Sequence, residues 1–101
     1  MTPKSKPQVE LGRIAQDDLK RLRGNDRRRI IRAIDALEAD LRPANSKHLE
    51  GISDQYEVRR LRLDTWRVVY LLLEEQPLIL AVRRRPLYDY TDIDTLINVE
   101  I

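Results

Sequence analysis

The spacing of apolar residues predicts a short strand and then two helices in the first half of the chain. Apolar and polar residues alternate over 8–11, which is typical of a strand. Ala15, Leu19 and Leu22 then follow helical spacing, and Gly24 is placed to end that helix. A second apolar stripe at helical spacing consists of Ile30, Ile34, Leu37 and Leu41. Because only two residues, "GN", connect them, the helices are predicted to form an antiparallel hairpin.

The second half of the chain predicts a sheet. Apolar segments at 56–63, 66–73 and 78–85 are separated by short turns, so they are predicted to form successive antiparallel strands. Turn-forming residues fill 43–55, which is predicted as a loop, and a short helix is predicted after Thr91. The order is β-α-α-β-β-β-α. This predicts an α+β fold, with the helix hairpin packed on one face of an antiparallel sheet.

Length and composition indicate a small intracellular protein. The 101 residues suffice for one domain, which we expect to cover 8–101 after a flexible segment at 1–7. The chain has no cysteine, which excludes disulfides, thiolate chemistry and zinc sites built on cysteine. The first residues lack the apolar stretch of a signal peptide, and no apolar run is long enough to cross a bilayer. We expect a cytoplasmic protein with no membrane association, no metal and no cofactor.

Strand alternation predicts which face of the sheet carries charge. In 66–73 one face is uniformly bulky and apolar, and it consists of Trp66, Val68, Tyr70 and Leu72. This face is predicted to be the core face under the helices. Arg67 is therefore predicted to project from the other face, which a single layer of helices would leave open.

The preceding strand adds two arginines to the open face. Val58 and Leu61 are both expected in the core, yet their odd spacing puts them on opposite faces of a regular strand. A β-bulge at Arg59 and Arg60 would reconcile them, and it would turn one or both of these arginines outward beside Arg62. The alternative is that one of the two lies along the sheet edge in solvent.

The segment "RRRPLYDY" at 83–90 closes the last predicted strand with three arginines and two tyrosines. Guanidinium groups bind phosphate through paired hydrogen bonds, and an aromatic ring beside them can stack on a base. We therefore predict that one or more of Arg83, Arg84 and Arg85 join the open face as phosphate ligands, with Tyr88 beside them to stack on a base. An acidic protein partner and simple solvent exposure are the alternatives.

At this point the sequence resembles the RelE/ParE superfamily of toxins from bacterial type II toxin–antitoxin systems. The resemblance covers 9–96 and depends on "DLKRL", "RRRIIRAIDAL", "SKHLEG", "YEVRRLRLDTWRVVYLL" and "VRRRPLYDYTDI" in this order. It implies a cognate antitoxin and a toxin–antitoxin hetero-oligomer. In RelE-type members it implies cleavage of mRNA on the ribosome without a metal, through attack of the ribose 2′-hydroxyl to give a 2′,3′-cyclic phosphate.

The resemblance assigns roles by position. The predicted catalytic residues are Arg62, Arg67, Arg84 and Tyr88, and the predicted RNA- or phosphate-binding residues are Arg59, Arg60, Arg83 and Arg85. The chain departs from RelE-type enzymes because no lysine falls in the predicted strands, so the general base is not identified. His48, the one histidine, falls in the predicted loop. The alternative within the superfamily is a ParE-like poison of DNA gyrase without nuclease activity.

Overall fold

The protein folds as a five-stranded sheet with three helices. The computed structural model describes residues 8–101. Its strands are β1 (Glu10–Leu11), β2 (Ser46–His48), β3 (Glu57–Leu63), β4 (Trp66–Leu73) and β5 (Gln76–Arg84). Its helices are α1 (Arg13–Arg21), α2 (Gly24–Asp35), which a 3₁₀ turn (Ala36–Glu38) extends, and α3 (Ile93–Glu100). The predicted α+β class is confirmed, whereas the flexibility predicted for 1–7 lies outside the described residues.

The sheet has the strand order β1-β5-β4-β3-β2, and it differs from the prediction at both edges. β2 lies in the segment predicted as a loop and pairs antiparallel with β3. Three residues are too few to display an alternating pattern, which is why the sequence did not reveal this strand. β1 runs parallel to β5, so the sheet is mixed and not purely antiparallel. The direction of β1 relative to β5 depends on the path of the chain between these two strands, and the local sequence pattern does not reveal that path.

Gly24 does not end the first helix as predicted. α1 already ends before Leu22, and Gly24 is the first residue of α2, with a positive φ of 59°. This left-handed conformation suits glycine, so the residue redirects the chain between the helices. With 12 residues α2 is the longest helix, and no described helix is long and apolar enough to cross a membrane.

The helix hairpin packs on one face of the sheet. The cluster under it contains Ala15, Leu19, Ile30, Ile34, Leu37, Leu61, Val68, Tyr70, Leu72, Ile79 and Val82. Trp66 is partly buried against this cluster. The predicted core face of β4 is therefore confirmed.

The opposite face of the sheet is not open, in contrast to the prediction. α3 covers part of it through a second cluster made of Val58, Val69, Leu71, Leu78, Leu80, Ala81, Tyr88, Ile93, Leu96 and Ile97. Burial on both faces also removes the need for the predicted bulge at Arg59 and Arg60. Val58 packs towards α3 and Leu61 towards the hairpin, and the β3–β4 register is continuous. The irregularity in the sheet lies instead between β4 and β5, next to Val69.

Candidate nucleic-acid interface

Four cations share the part of the sheet surface that α3 leaves uncovered, and we call them the basic face: Lys47, Arg60, Arg62 and Arg67. Arg62 of β3 lies directly opposite Arg67 of β4, and Lys47 of β2 lies directly opposite Arg60 of β3. Directly opposed residues point to the same face, with Cβ atoms about 4.5–5.5 Å apart. These side chains face away from the hairpin because Leu61, between Arg60 and Arg62, belongs to the hairpin cluster.

The basic face has no counterions in the described part of the chain. Among residues 8–101, no acidic side chain is within salt-bridge distance of any of its four members, although salt bridges form elsewhere in the protein. Like charges placed opposite one another on a sheet are destabilising. Four cations without a carboxylate between them therefore form a surface suited to a polyanion.

Arg67 is oriented by the backbone and not by an acid. Its Nη1 donates hydrogen bonds to the carbonyl oxygens of Asp64, at 2.6 Å, and Trp66, at 2.8 Å. Neutral acceptors fix the guanidinium without cancelling its charge. The remaining N–H groups can bind a phosphate oxygen, and little further ordering is needed for them to do so.

Arg59 is not part of the basic face. It lies opposite Tyr70 and keeps only 13% of its side chain exposed. It donates to Glu57 at 2.8 Å and to the Ser46 hydroxyl at 3.0 Å. The choice between the two neighbouring arginines, which the sequence left open, is decided in favour of Arg60.

Arg83 lies opposite Arg67, as the prediction of convergence requires, but its charge is already paired. Its guanidinium forms salt bridges with Asp18 at 2.5 Å and with Asp92 at 3.5 Å. Asp18 is buried and also accepts the Val82 amide at 2.9 Å. Arg83 therefore ties α1 and the start of α3 to β5.

Arg84 and Arg85 do not join Arg67. Arg84 lies opposite Trp66, on the hairpin side, with its guanidinium carbon 5.4 Å from the centre of the Trp66 ring system. Arg85 donates to the carbonyl oxygen of Tyr88 at 2.6 Å and lies 5.7 Å from the Tyr90 ring centre. The three consecutive arginines thus have three separate environments, because strand alternation turns neighbours apart and β5 ends at Arg84.

Tyr88 is a packed residue with a committed hydroxyl. It is only 8% exposed, it belongs to the α3 cluster, and its ring centre is 4.7 Å from that of Tyr90. Its hydroxyl donates to Asp92 at 2.7 Å. Burial, followed by this hydrogen bond and the Asp92 charge, raises the pKa of Tyr88 far above its ordinary value. A phenol in this state holds its proton firmly.

Lys47 is the member of the basic face that the sequence did not reveal. With 43–55 predicted as a loop, no lysine was expected in the sheet, yet β2 places Lys47 beside Arg60. The one available sequence signal was a lysine in "SKH", which no periodicity supports. His48 is exposed and lies opposite Arg59, away from the basic face. Among residues 8–101, no group of three or more histidine or acidic side chains could hold a metal ion.

Comparison with known proteins gives matches only in structure. No family model matches the sequence, and no curated protein matches it. A chain of the archaeal RelE–RelB complex from Pyrococcus horikoshii is 24% identical, with a TM-score of 0.70 over 82% of this chain and 99% of that chain. A chain of the RelB–RelE complex from Methanococcus jannaschii is 21% identical, with a TM-score of 0.65 over 81% of this chain and 98% of that one.

A free form of the RelE toxin itself is also similar. A mutant of the E. coli toxin RelE is 17% identical, and the alignment has a TM-score of 0.65 over 95% of this chain and 98% of that chain. Identities this low concern the fold. The alignment nevertheless covers nearly the whole chain. The chain therefore has the fold of the RelE toxins.

Proposed function

We propose that the protein is the toxin of a type II toxin–antitoxin pair and that it cleaves mRNA on the ribosome at its basic face. One observation carries the proposal: Lys47, Arg60, Arg62 and Arg67 share one surface without an acidic partner among the described residues. The shared fold with the E. coli toxin RelE supports it. Arginine at such a surface is suited to the phosphates of a nucleic-acid strand.

The proposed reaction is a transesterification within the RNA strand. A ribose 2′-hydroxyl gives up its proton, and its oxygen attacks the neighbouring phosphorus. The bond from that phosphorus to the 5′ oxygen then breaks, and this oxygen takes a proton from solvent. The products are a 2′,3′-cyclic phosphate and a 5′-hydroxyl. Negative charge grows on the phosphoryl oxygens in the transition state, where Arg62 and Arg67 would stabilise it as fixed donors.

Lys47 is our candidate for the proton acceptor. Arginine stays protonated in proteins, whereas the ε-amine of a lysine can exchange a proton and serve as a base. Within the basic face this leaves Lys47 alone with that ability. In the scheme, its neutral amine takes the proton of the 2′-hydroxyl and later returns it to solvent. Arg60, directly opposite, would hold the phosphate that adjoins the reacting ribose.

An antitoxin partner completes the proposal. The P. horikoshii and M. jannaschii proteins were both found in RelE–RelB complexes. We propose that this chain likewise forms a hetero-oligomer with a cognate antitoxin. A partner that supplies carboxylates to the basic face would neutralise its charge and exclude RNA.

The test is cleavage of mRNA on programmed ribosomes, with the cut sites mapped by primer extension. Arg67→Ala should lower the cleavage rate by roughly 10²–10³-fold, as loss of an oxyanion donor does. Lys47→Arg keeps the charge but removes the proton acceptor, so it should retain RNA binding and lose cleavage. Arg13→Ala is the matched control, because Arg13 is exposed on α1 and lies outside the basic face.

Two outcomes would contradict the proposal. The first outcome is full cleavage by a folded Arg67→Ala protein, which would show that the reaction does not take place at the basic face. The second outcome is wild-type protein that never cuts mRNA but stalls DNA gyrase in a parallel supercoiling assay. This result would show that the protein is a gyrase poison and not a nuclease. Full activity of Lys47→Arg would overturn only the assignment of the base.

A further inference from the structure

A second concentration of positive charge lies around the connection between α1 and α2. Residues 20–32 contain seven cations and one anion, a net charge of +6, although the whole chain carries only +2. We call these cations the basic turn, and they are Lys20, Arg21, Arg23, Arg27, Arg28, Arg29 and Arg32. The rest of the chain is therefore net negative. A charge so localised creates a strong local potential that attracts polyanions.

Most of the positive charge of the basic turn is not paired with an acidic side chain in the described part of the chain. Of its seven cations, only Arg29 forms an ion pair with a described residue, Asp64 at 2.7 Å. Arg27 and Arg28 donate to neutral oxygens, a backbone carbonyl and a side-chain amide. Six of the seven cations thus have no acidic side chain within salt-bridge distance in 8–101.

The chemistry of the basic turn fits a nucleic-acid backbone better than a protein. Residues 20–32 include no aromatic residue, and none of the large exposed apolar side chains lies there. Protein interfaces have apolar, aromatic-rich centres with few charges, whereas nucleic-acid interfaces are polar and positively charged. Unpaired bases are held by stacking on aromatic rings, but duplex RNA is held through its phosphates and 2′-hydroxyls. This argues for a duplex.

The basic turn is physically joined to the basic face. The Arg29–Asp64 ion pair attaches α2 to the turn between β3 and β4. Arg62, near the end of β3, and Arg67, near the start of β4, lie on either side of that turn. Both surfaces therefore border the β3–β4 turn, the basic face on the α3 side of the sheet and the basic turn on the hairpin side.

We propose that the basic turn binds the phosphate backbone of double-helical RNA next to the single strand that the basic face engages. The inference rests on the proposed function, because it takes RNA to be the ligand of the basic face. It adds a second site, with a different RNA geometry, to the same molecule. A ribosome-bound substrate offers both geometries at once: a single-stranded message beside structured RNA.

The test compares two double variants with equal net charge. Arg28→Gln/Arg32→Gln removes two cations four residues apart on α2, on the same side of the helix. Arg13→Gln/Asn98→Asp also lowers the charge by two, at exposed positions outside both surfaces. Fluorescence anisotropy would measure binding of an RNA duplex of about 16 base pairs and of a 2′-O-methyl hexamer that cannot be cleaved. Each titration is repeated over a range of NaCl concentrations.

The Arg28→Gln/Arg32→Gln variant should bind the duplex more weakly than the control. Its plot of log K against log salt should be shallower by about two, roughly one for each phosphate that the variant no longer neutralises. Hexamer binding should stay equal to that of the control. Equal slopes for both variants, or an equal loss on the hexamer, would overturn the inference.

Two further outcomes distinguish this inference from the proposed function. Wild-type protein that binds the hexamer but not the duplex would overturn the inference alone. Wild-type protein that binds neither RNA would overturn the inference, whereas the proposed function fails only if mRNA on programmed ribosomes is not cut either. A polyglutamate peptide serves as a third probe. If the Arg28→Gln/Arg32→Gln variant loses affinity for this peptide and not for the duplex, the inference is overturned and the basic turn is a surface for an acidic protein segment.

Discussion

The buried carboxylate of Asp18 should be a strong local determinant of stability. It accepts two hydrogen bonds, from the Val82 amide at 2.9 Å and from Arg83 at 2.5 Å. Asp18→Asn keeps an oxygen for the amide but removes the negative charge. A hydrogen bond to a charged group contributes about 1.5–3 kcal/mol, compared with about 0.5–1.5 kcal/mol for a neutral one. The expected loss is about 1–2 kcal/mol.

The environment of Arg83 keeps the loss below that of a fully buried pair. Breaking such a pair costs about 3–5 kcal/mol. Here the Arg83 side chain is 26% exposed, and Asp92 remains 3.5 Å away as a second partner. For a domain of this size the melting temperature should fall by roughly 5–10 °C. Asp18→Ala should cost about 1–3 kcal/mol more, because it also leaves the Val82 amide without an acceptor.

Thermal unfolding followed by circular dichroism measures these differences. Asp17→Asn is the matched control, since Asp17 is the exposed neighbour on the same helix and makes no ion pair among the described residues. Arg83→Gln and the Arg83→Gln/Asp18→Asn double variant complete a cycle, in which the double variant should lose less than the sum of the single losses. Equal melting temperatures for Asp17→Asn and Asp18→Asn would refute this reasoning.

Three further predictions concern single side chains. Tyr88→Phe loses one hydrogen bond, so it should cost about 0.5–1.5 kcal/mol in urea unfolding and leave RNA cleavage intact. Glu74 has a positive φ of 51° in a two-residue turn, so Glu74→Asn should raise stability by about 0.5–1 kcal/mol, because Asn tolerates this conformation. The hydrogen bond from Arg42 lowers the pKa of Glu57 below its usual 4.5. The pair therefore stabilises the fold fully above pH 4.5, and this stabilisation is lost as the pH falls through the lowered pKa of Glu57.

Each of the three has its own control. A folded Tyr88→Phe protein that no longer cleaves RNA would assign chemistry to the hydroxyl, contrary to the packing role. Glu74→Gln removes the same charge without the preference of Asn for a positive φ, and equal stability of the two variants would contradict the turn argument. Arg42→Gln should show a weaker decline of stability below the usual pKa of Glu57, and an unchanged decline would exclude this pair as its source.

Local pattern determined most of the fold. Helical spacing identified the hairpin, alternation identified β3, β4 and β5, and the uniform apolar set beginning at Trp66 identified the core face. These elements are long enough for their periodicity to be read, and short turns leave them only antiparallel pairing. The same alternation placed Arg67 on the face of the sheet away from the hairpin.

Only the tertiary structure decided which charges are free. Arg59 and Arg60 are adjacent and chemically identical in the sequence, yet one pairs with Glu57 and the other has no acidic partner among the described residues. Arg83 is neutralised by Asp18, 65 residues away. Lys47 joins the basic face through the three-residue strand β2, which depends on its pairing with β3. The sequence determines where cations stand along each strand, but whether a charge is paired depends on long-range packing, which local periodicity does not encode.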